Sequence, residues 1–184
     1  MDNLKKLLQN YSAIYPNENN VKKTLEFLEK GNCFSSINFD GHFTASAWIV
    51  DQHKNKVLMT HHKKLNMWLQ LGGHIDEEKD LLSAALREAR EESGLENFKI
   101  ISDQIFDLDI HDIPKINSHP PHTHYDVRFL FEANSKNEKV VVSEESNDVA
   151  WIEISKVCEK NSELSIKRMV DKTLSKFKVD SLKY

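Results

Sequence analysis

GGHIDEEKDLLSAALREAREESGL, residues 72–95, is the stretch of this chain that decides its fold and its chemistry. The two leading glycines let the backbone turn sharply and approach a ligand closely. The residues that follow predict a helix over about 80–93, and Gly94 is placed to end it. Within that helix, Leu82, Leu86 and Ala89 lie on an apolar stripe that we expect to pack on a sheet. The segment therefore predicts a glycine turn that leads into an amphipathic helix.

The opposite face of the predicted helix is acidic. Glu88, Glu91 and Glu92 stand at i, i+3 and i+4, so the three carboxylates share one face and repel one another. A hard divalent cation with oxygen ligands relieves such repulsion, and Mg²⁺ is the usual choice beside phosphates. The other interpretation is a solvated, glutamate-rich surface helix. The glycine turn, Arg87 and Gly94 favour the metal site over that interpretation.

The same segment resembles the Nudix box, which reads glycine, five residues, glutamate, seven residues, then Arg-Glu-apolar-x-Glu-Glu-x-Gly-apolar. Gly73 begins the motif here, and REAREESGL, residues 87–95, completes it. One position departs, because the first box glutamate falls on Lys79, and Glu78 or Asp76 could take over its helix-capping or outer-shell role. The resemblance implies a Nudix-type α/β/α sandwich with a mixed β-sheet over about residues 41–155.

The resemblance also implies an activity, that of a metal-dependent pyrophosphohydrolase. In this family a metal-activated water attacks a diphosphate linkage, here in a nucleoside diphosphate derivative of the nucleotide or nucleotide-sugar type, and the implied cofactor is Mg²⁺ or Mn²⁺. Two alternatives stay open. A Nudix-fold isomerase of an isoprenoid diphosphate uses a cysteine and a divergent box, but Cys33 and Cys158 lie before and after the domain. A non-catalytic nucleotide-binding module would be expected to lose box glutamates, all of which are kept in the REAREE core.

The resemblance assigns roles to individual residues according to their position in the motif. The resemblance implies that Glu88, Glu91 and Glu92 bind metal together with the main-chain carbonyl of Gly72. It implies that Arg87 orients the glutamates rather than touching substrate. The implied catalytic residues are Arg87, Glu91 and Glu92, with Glu91 or Glu92 as the general base.

In some members of the family a glutamate outside the box serves as the base instead. Glu144 and Glu145 precede a predicted strand, where such a residue could lie. A solvated acidic turn is the competing interpretation of this pair. The sequence leaves the identity of the base open.

Further candidates for substrate binding lie along the chain. His61 and His62 begin an HHKK cluster that could present positive charge to a diphosphate, although a solvated turn explains it equally well. His74 lies inside the box and is expected to line the site. Asp126 and Arg128 share one face of a predicted strand by its period of two, and we expect Arg128 to face the site.

The segment 111–124 combines three prolines with four histidines, which predicts a loop between two strands. Loops on a rigid scaffold often determine specificity, so we expect this segment to border the substrate pocket. His122 and His124 are the substrate-binding candidates within it. A zinc site formed by His119, His122 and His124 is a weaker alternative, since their spacing follows no common zinc pattern.

The regions outside the box complete the expected architecture. Residues 1–40 predict a helical N-terminal extension, either packed on the main domain or used as a dimer contact. Residues 41–184 are expected to form the Nudix domain, including helices at its C-terminal end. Trp68 is a candidate for stacking on a nucleobase, whereas core packing is expected for Trp48 and Trp151. Strands are predicted at 43–50, 56–60, 68–71, 98–110, 125–133 and 149–154.

Composition limits the remaining possibilities. The chain has 184 residues, of which 39% are hydrophobic, and its net charge is −4. No run approaches the roughly 20 apolar residues of a membrane helix, and two isolated cysteines support no disulfide framework. Basic residues do not outnumber acidic ones, 25 against 29, which argues against nucleic acid as a partner. We expect a cytoplasmic protein with a small-molecule diphosphate substrate and no membrane contact, and a homodimer stays open.

Overall fold

A computed structural model describes residues 2–38, 40–75, 80–115, 120–136 and 139–178. Helices occur at both ends of this part of the chain, and eight strands form one mixed sheet in the order β3-β2-β1-β7-β5, with β4 paired to β1, β6 to β7 and β8 to β2. The predicted α/β class is therefore confirmed. The helices are α1 (Asp2–Ile14), α2 (Asn20–Leu28), α3 (Leu81–Ser93), α4 (Val157–Lys160) and α5 (Leu164–Phe177), with a 3-10 turn at Ile154–Lys156. The strands are β1 (His42–Asp51), β2 (Lys56–His62), β3 (Met67–Leu69), β4 (Leu71–His74), β5 (Phe98–Ile100), β6 (Asp107–Ile113), β7 (His122–Ala133) and β8 (Ser146–Glu153).

The chain packs as two compact units. No helix in the described ranges is both long enough and apolar enough to cross a membrane. The first unit comprises Met1–Ser46, Gly73–Ala85 and Ser102–Phe129. The second unit comprises Ala47–Gly72, Leu86–Ile101 and Leu130–Tyr184.

In the first unit, α1 and α2 occupy the N-terminal segment for which helices were predicted. Their apolar stripes bury Leu4, Leu8 and Val21, among other side chains. The ring of Phe27 on α2 stacks on Tyr125 of β7 at a centroid distance of 4.0 Å. Burial of such large apolar side chains contributes roughly 1.5–3 kcal/mol each. Hydrophobic contact therefore holds α2 against the hairpin of β6 and β7.

The hairpin of β6 and β7 corrects the predicted loop at 111–124. The antiparallel register runs from the pair Asp107↔Arg128 to the pair Ile113↔His122, so His111, His122 and His124 all lie in strands. The connection shortens to 114–121, of which 116–119 lie outside the described residues. Prolines 114, 120 and 121 stand just outside the ladder, where a missing N–H removes no pairing.

The observed strands differ from the predicted ones at two places. The predicted strand 68–71 is split at Gln70 into β3 and β4, and the predicted strand 98–110 is split into β5 and β6 by residues 101–106. The fully buried Trp48 on β1 donates its indole Nε1–H to Thr173 Oγ1 on α5, 2.9 Å away. Thr173 in turn donates to the backbone carbonyl of Met169 at 2.7 Å. This chain of hydrogen bonds connects β1 to the C-terminal helix.

Helix α3 begins and ends at the residues that the sequence predicts. Asp80 caps its first turn, because Oδ2 accepts the N–H of Ser83 at 3.0 Å. Gly94 ends the helix at a φ of +68°, and a Cβ on it would lie 2.7 Å from Cβ of Val141. Of the predicted apolar stripe, Ala89 is buried, whereas Leu82 and Leu86 are only half-buried. The apolar side chains that α3 buries are Leu81, Ala84, Ala85 and Ala89.

Candidate functional site

The second unit contains a carboxylate centre, which we define as Gly72, Arg87, Glu88, Glu91 and Glu92. Gly72 lies in β4, and its backbone N–H donates to Oε2 of Glu92 on α3 at 2.8 Å. Glu92 is buried, with 7% exposure, although an acidic helix face predicts a solvated carboxylate. The motif therefore places its last glutamate within the protein, held by the glycine backbone.

Burial and repulsion together make Glu92 a weak acid. The pKa of Glu92 is raised to about 8. Desolvation is the largest cause and the charges of Glu88, Glu145 and Glu91 add to it, while the hydrogen bond from Gly72 acts in the opposite direction. A carboxyl group in such surroundings retains its proton unless a cation compensates the local negative charge. The centre thus has the electrostatics of a site for a positively charged ligand.

Arg87 organises the other two carboxylates of the centre. Its Nη1 donates to Oε1 of Glu88 and to Oε2 of Glu91, at 2.9 Å each. Glu88 is mostly covered, whereas Glu91 is more than half exposed. Because one guanidinium nitrogen joins both oxygens, Arg87 fixes the spacing of the two glutamates.

Glu145 and His62 lie close to this centre in the second unit. The charge of Glu145 raises the pKa of Glu92, and it also opposes the lowering of the His62 pKa that burial causes. The backbone carbonyl of Glu145 accepts the N–H of Lys63 at 2.9 Å, which ties the HHKK cluster to the turn before β8. Glu144, the neighbouring candidate, is exposed in that turn.

A half-exposed aromatic surface lies on the neighbouring strands. The ring of Trp68 on β3 lies 5.2 Å from the ring of His61 on β2, between centroids. Lys160 places its ammonium 5.9 Å from the centre of the same indole. Trp48, in contrast, is fully buried, as predicted. Trp68 is thus a flat surface bordered by positive charge, which suits an anionic, aromatic ligand.

The first unit contains a histidine cluster, which we define as His42, His74, His122 and His124. Its ring centroids lie 4.6 Å apart for His42 and His124, and 5.0 Å apart for His42 and His74. Three substrate-binding candidates, His74, His122 and His124, therefore meet here, while His119 lies outside the described residues. Sequence analysis missed His42, which begins β1, far along the chain from its partners.

Two members of the histidine cluster are strongly perturbed. Burial lowers the pKa of His42 to about 4, with repulsion from His74 adding to it, and the backbone of Asn38 opposing. Burial and the surrounding imidazoles lower the pKa of His124 to about 2. Despite the electrostatic effect of Asn38, neither ring nitrogen of His42 makes a hydrogen bond of standard geometry within the described ranges.

Arg128 does not meet the expectation that it contacts substrate. It is 2% exposed, and its guanidinium donates to Asp126 at 2.7 Å, to Asp107 at 3.1 Å and to Asp109 at 3.4 Å. Asp126 also accepts the hydroxyl of Ser46 at 2.7 Å. As the two-residue period of a strand predicts, Asp126 and Arg128 share one face of β7, but that face is buried under β1. Arg128 is therefore part of an internal ion network.

A mixed sheet, together with a carboxylate-bearing helix that is hydrogen-bonded to a glycine of β4, defines an α/β domain with a candidate cation site. A family profile described as the NUDIX domain matches residues 41–172. The chain therefore belongs to the Nudix family and is a Nudix hydrolase, an enzyme that acts on diphosphate bonds. This match confirms the resemblance drawn from the box.

Solved structures agree with that assignment. A hydrolase of the NUDIX family from Clostridium perfringens is 25% identical, with a TM-score of 0.54 over 74% of this chain and 97% of that one. An Ap4A hydrolase from C. elegans is 18% identical, with a TM-score of 0.58 over 74% and 97%. The NUDIX domain of Shewanella oneidensis NrtR, solved with ADP ribose, is 15% identical, with a TM-score of 0.51 over 83% and 97%. A comparison with curated proteins found no match.

Proposed function

We propose that this protein is a divalent-cation-dependent pyrophosphohydrolase that cleaves a diphosphate linkage in a nucleoside diphosphate derivative. The observation that carries the proposal is the buried Glu92, held by the N–H of Gly72 and surrounded by the charges of Glu88, Glu91 and Glu145. Such an arrangement destabilises the cation-free protein near neutral pH, which is typical of a functional site rather than a solvated helix face.

The donor set suits a hard cation. Carboxylate oxygens are the ligands that Mg²⁺ and Mn²⁺ prefer, and the pKa of Glu92 is raised first by burial and then by the negative charges of Glu88, Glu145 and Glu91. Glu88, Glu91 and Glu92 would hold the ion, together with the main-chain carbonyl of Gly72. When bound, such an ion neutralises charge on diphosphate oxygens and lowers the pKa of water.

The residues of the chain then have distinct tasks. Arg87 keeps Glu88 and Glu91 at a fixed separation through one nitrogen. Glu92 is the candidate base within the box, and Glu145 is the candidate outside it, because its charge reaches Glu92. A carboxylate in either position can accept the proton of the attacking water as the phosphorus–oxygen bond breaks.

The nucleotide part of the proposal rests on the surface next to the HHKK cluster. Trp68 offers a half-exposed face for a base, and His61 lies beside it. Lysines 63 and 64, both exposed, supply positive charge toward phosphates. The fold relatives include an Ap4A hydrolase and a domain solved with ADP ribose, both of which concern adenine nucleotides. Substrates of this class are therefore the first to test.

The experiment is phosphate release from a panel of nucleoside diphosphate derivatives, with Mg²⁺, with Mn²⁺ and with EDTA. We expect turnover of at least one substrate that EDTA abolishes. Glu88→Gln should lower the rate by roughly 10²-fold or more, the low end of the loss when a positioned group is removed. Glu26→Gln, which removes one exposed charge on α2, is the matched control and should keep full activity. Undiminished turnover in EDTA, or in Glu88→Gln, contradicts the proposal.

A further inference from the structure

We propose that His42, His74 and His124 form a binding site for a transition-metal ion of the Zn²⁺ class, within the first unit. The proposal goes beyond the diphosphate chemistry and needs no part of the carboxylate centre. One nitrogen from each of the three rings lies within 4.8 Å of the other two. Imidazole nitrogen is a ligand for Zn²⁺ and its neighbours in the periodic table, whereas Mg²⁺ prefers oxygen.

The spacing of the three nitrogens is close to that of ligands on one ion. A point central to three atoms no more than 4.8 Å apart lies at most about 2.8 Å from each of them. A zinc–imidazole bond measures about 2.0–2.1 Å. Each ring therefore needs to move inward by less than about 1 Å, which a small rotation of the side chain provides.

His42 supplies the second, independent observation. It is 1% exposed, and neither of its ring nitrogens makes a hydrogen bond of standard geometry with the residues that the structure describes. A buried polar side chain without a partner is destabilising, and few folded proteins keep one without a reason. A metal bond would satisfy one of the two nitrogens. The strand β1 thus presents a histidine whose burial is explained by a ligand.

The neighbouring His122 supports the ring of His124. Nδ1 of His122 lies 2.9 Å from the carbonyl oxygen of Pro120, and Nε2 of His122 lies 3.0 Å from Nε2 of His124. Ligating histidines commonly have their second nitrogen held in this way by an adjoining acceptor. His74 is exposed, so an ion can reach the cluster from solvent. Three protein ligands leave one position of a tetrahedral ion open to water or an anionic oxygen.

The site has a geometric basis in the backbone. Gly41, immediately before His42, has a φ of +140°, and a Cβ there would lie 2.6 Å from the carbonyl oxygen of Thr123. Only glycine permits so close an approach of this segment to β7. As a result, the first residue of β1 is held against the strand that carries His122 and His124.

The test is equilibrium dialysis of the untagged full chain against Zn²⁺, with metal analysis of the protein. Excess Mg²⁺ is present throughout to fill the carboxylate centre. We expect about one Zn²⁺ per chain. His74→Asn and His124→Asn should each weaken binding by at least about 10²-fold, the upper end of the effect of losing a residue that only supports a ligand.

Two matched controls separate this site from others. His53→Asn removes an exposed histidine of the second unit, and Glu88→Gln removes a carboxylate of the other centre; both should leave Zn²⁺ affinity within about threefold. Circular dichroism of each variant establishes that it is folded, and His74, being exposed, is the substitution least disruptive to packing. Absent Zn²⁺ binding, binding that survives both His74→Asn and His124→Asn, or binding lost in Glu88→Gln would overturn the proposal.

Discussion

Replacing Glu92 by glutamine should stabilise the metal-free protein, and the gain should grow with pH. The pKa of Glu92 is raised from 4.5 to about 8 in the folded chain. Between these values the folded protein binds more protons than the unfolded chain, so the free energy of unfolding of the wild type falls as pH rises. Glutamine is neutral at every pH, so the variant does not lose stability in this way as the pH rises. Its amide oxygen can still accept the N–H of Gly72.

The magnitude follows from linkage. Between pH 4.5 and 8, each pH unit lowers the free energy of unfolding of the wild type by about 1.4 kcal/mol. Glu92→Gln should therefore be more stable than the wild type by about 2 kcal/mol at pH 6 and by about 4 kcal/mol at pH 8. Near pH 4.5 the two proteins should be almost equally stable. For a chain of this size, each kcal/mol shifts the thermal midpoint by roughly 2–4 °C.

Urea unfolding of metal-free wild type and Glu92→Gln at pH 5, 6, 7 and 8 measures the effect directly. Glu26→Gln, which removes an exposed charge, should follow the wild type at every pH. Adding Mg²⁺ at pH 8 should stabilise the wild type more than Glu92→Gln, because binding to the native state alone raises its stability. A difference between wild type and Glu92→Gln that does not change with pH, or a variant less stable at pH 8, would refute the electrostatic argument.

Two further substitutions test other parts of the structure. Gly94→Ala combines a positive φ with the close contact to Val141, so it should cost about 1–3 kcal/mol in urea unfolding. The double variant with Val141→Gly, which removes the contacting Cβ, should lose less stability than the two single substitutions added together, and full stability of Gly94→Ala would contradict the contact. Arg128→Met should destabilise by about 3–5 kcal/mol, since it leaves Asp107 and Asp126 buried without their cation. Arg90→Met, at a half-exposed arginine, should stay within about 1 kcal/mol of the wild type, and equal effects of the two arginine variants would argue against a buried network.

Local patterns in the sequence were sufficient to predict the elements that depend on neighbouring residues. The helix over 80–93 follows from its period and from Gly94, and the structure begins and ends it within one residue. The strand at 43–50 follows from its run of strand-forming residues. The spacing of Glu88, Glu91 and Glu92 placed three carboxylates on one face, although it could not reveal that Glu92 is buried by β4.

Features that depend on strand pairing were beyond the sequence. His42 and His124 are distant in the chain, and only the sheet brings them together. The His-x-His pattern at 122 and 124 does put both rings on one face of a strand, which was the available signal, but prolines 120 and 121 favoured a loop. Similarly, Arg128 finds Asp107 opposite through the register of β6 and β7. Without that register, a charged residue in a strand fits a ligand site as well as it fits a buried ion network.

The bond between Trp48 and Thr173 has a consequence for how the protein is made. The two residues are separated by 125 positions, so the indole of β1 leaves the ribosome long before its hydroxyl partner exists. At roughly 5–20 residues per second, the gap lasts on the order of 10 s. During that interval the second unit can form its early strands but cannot complete its interior, and Trp48 remains accessible to chaperones. The interior around Trp48 can therefore be completed only after α5 has been synthesised.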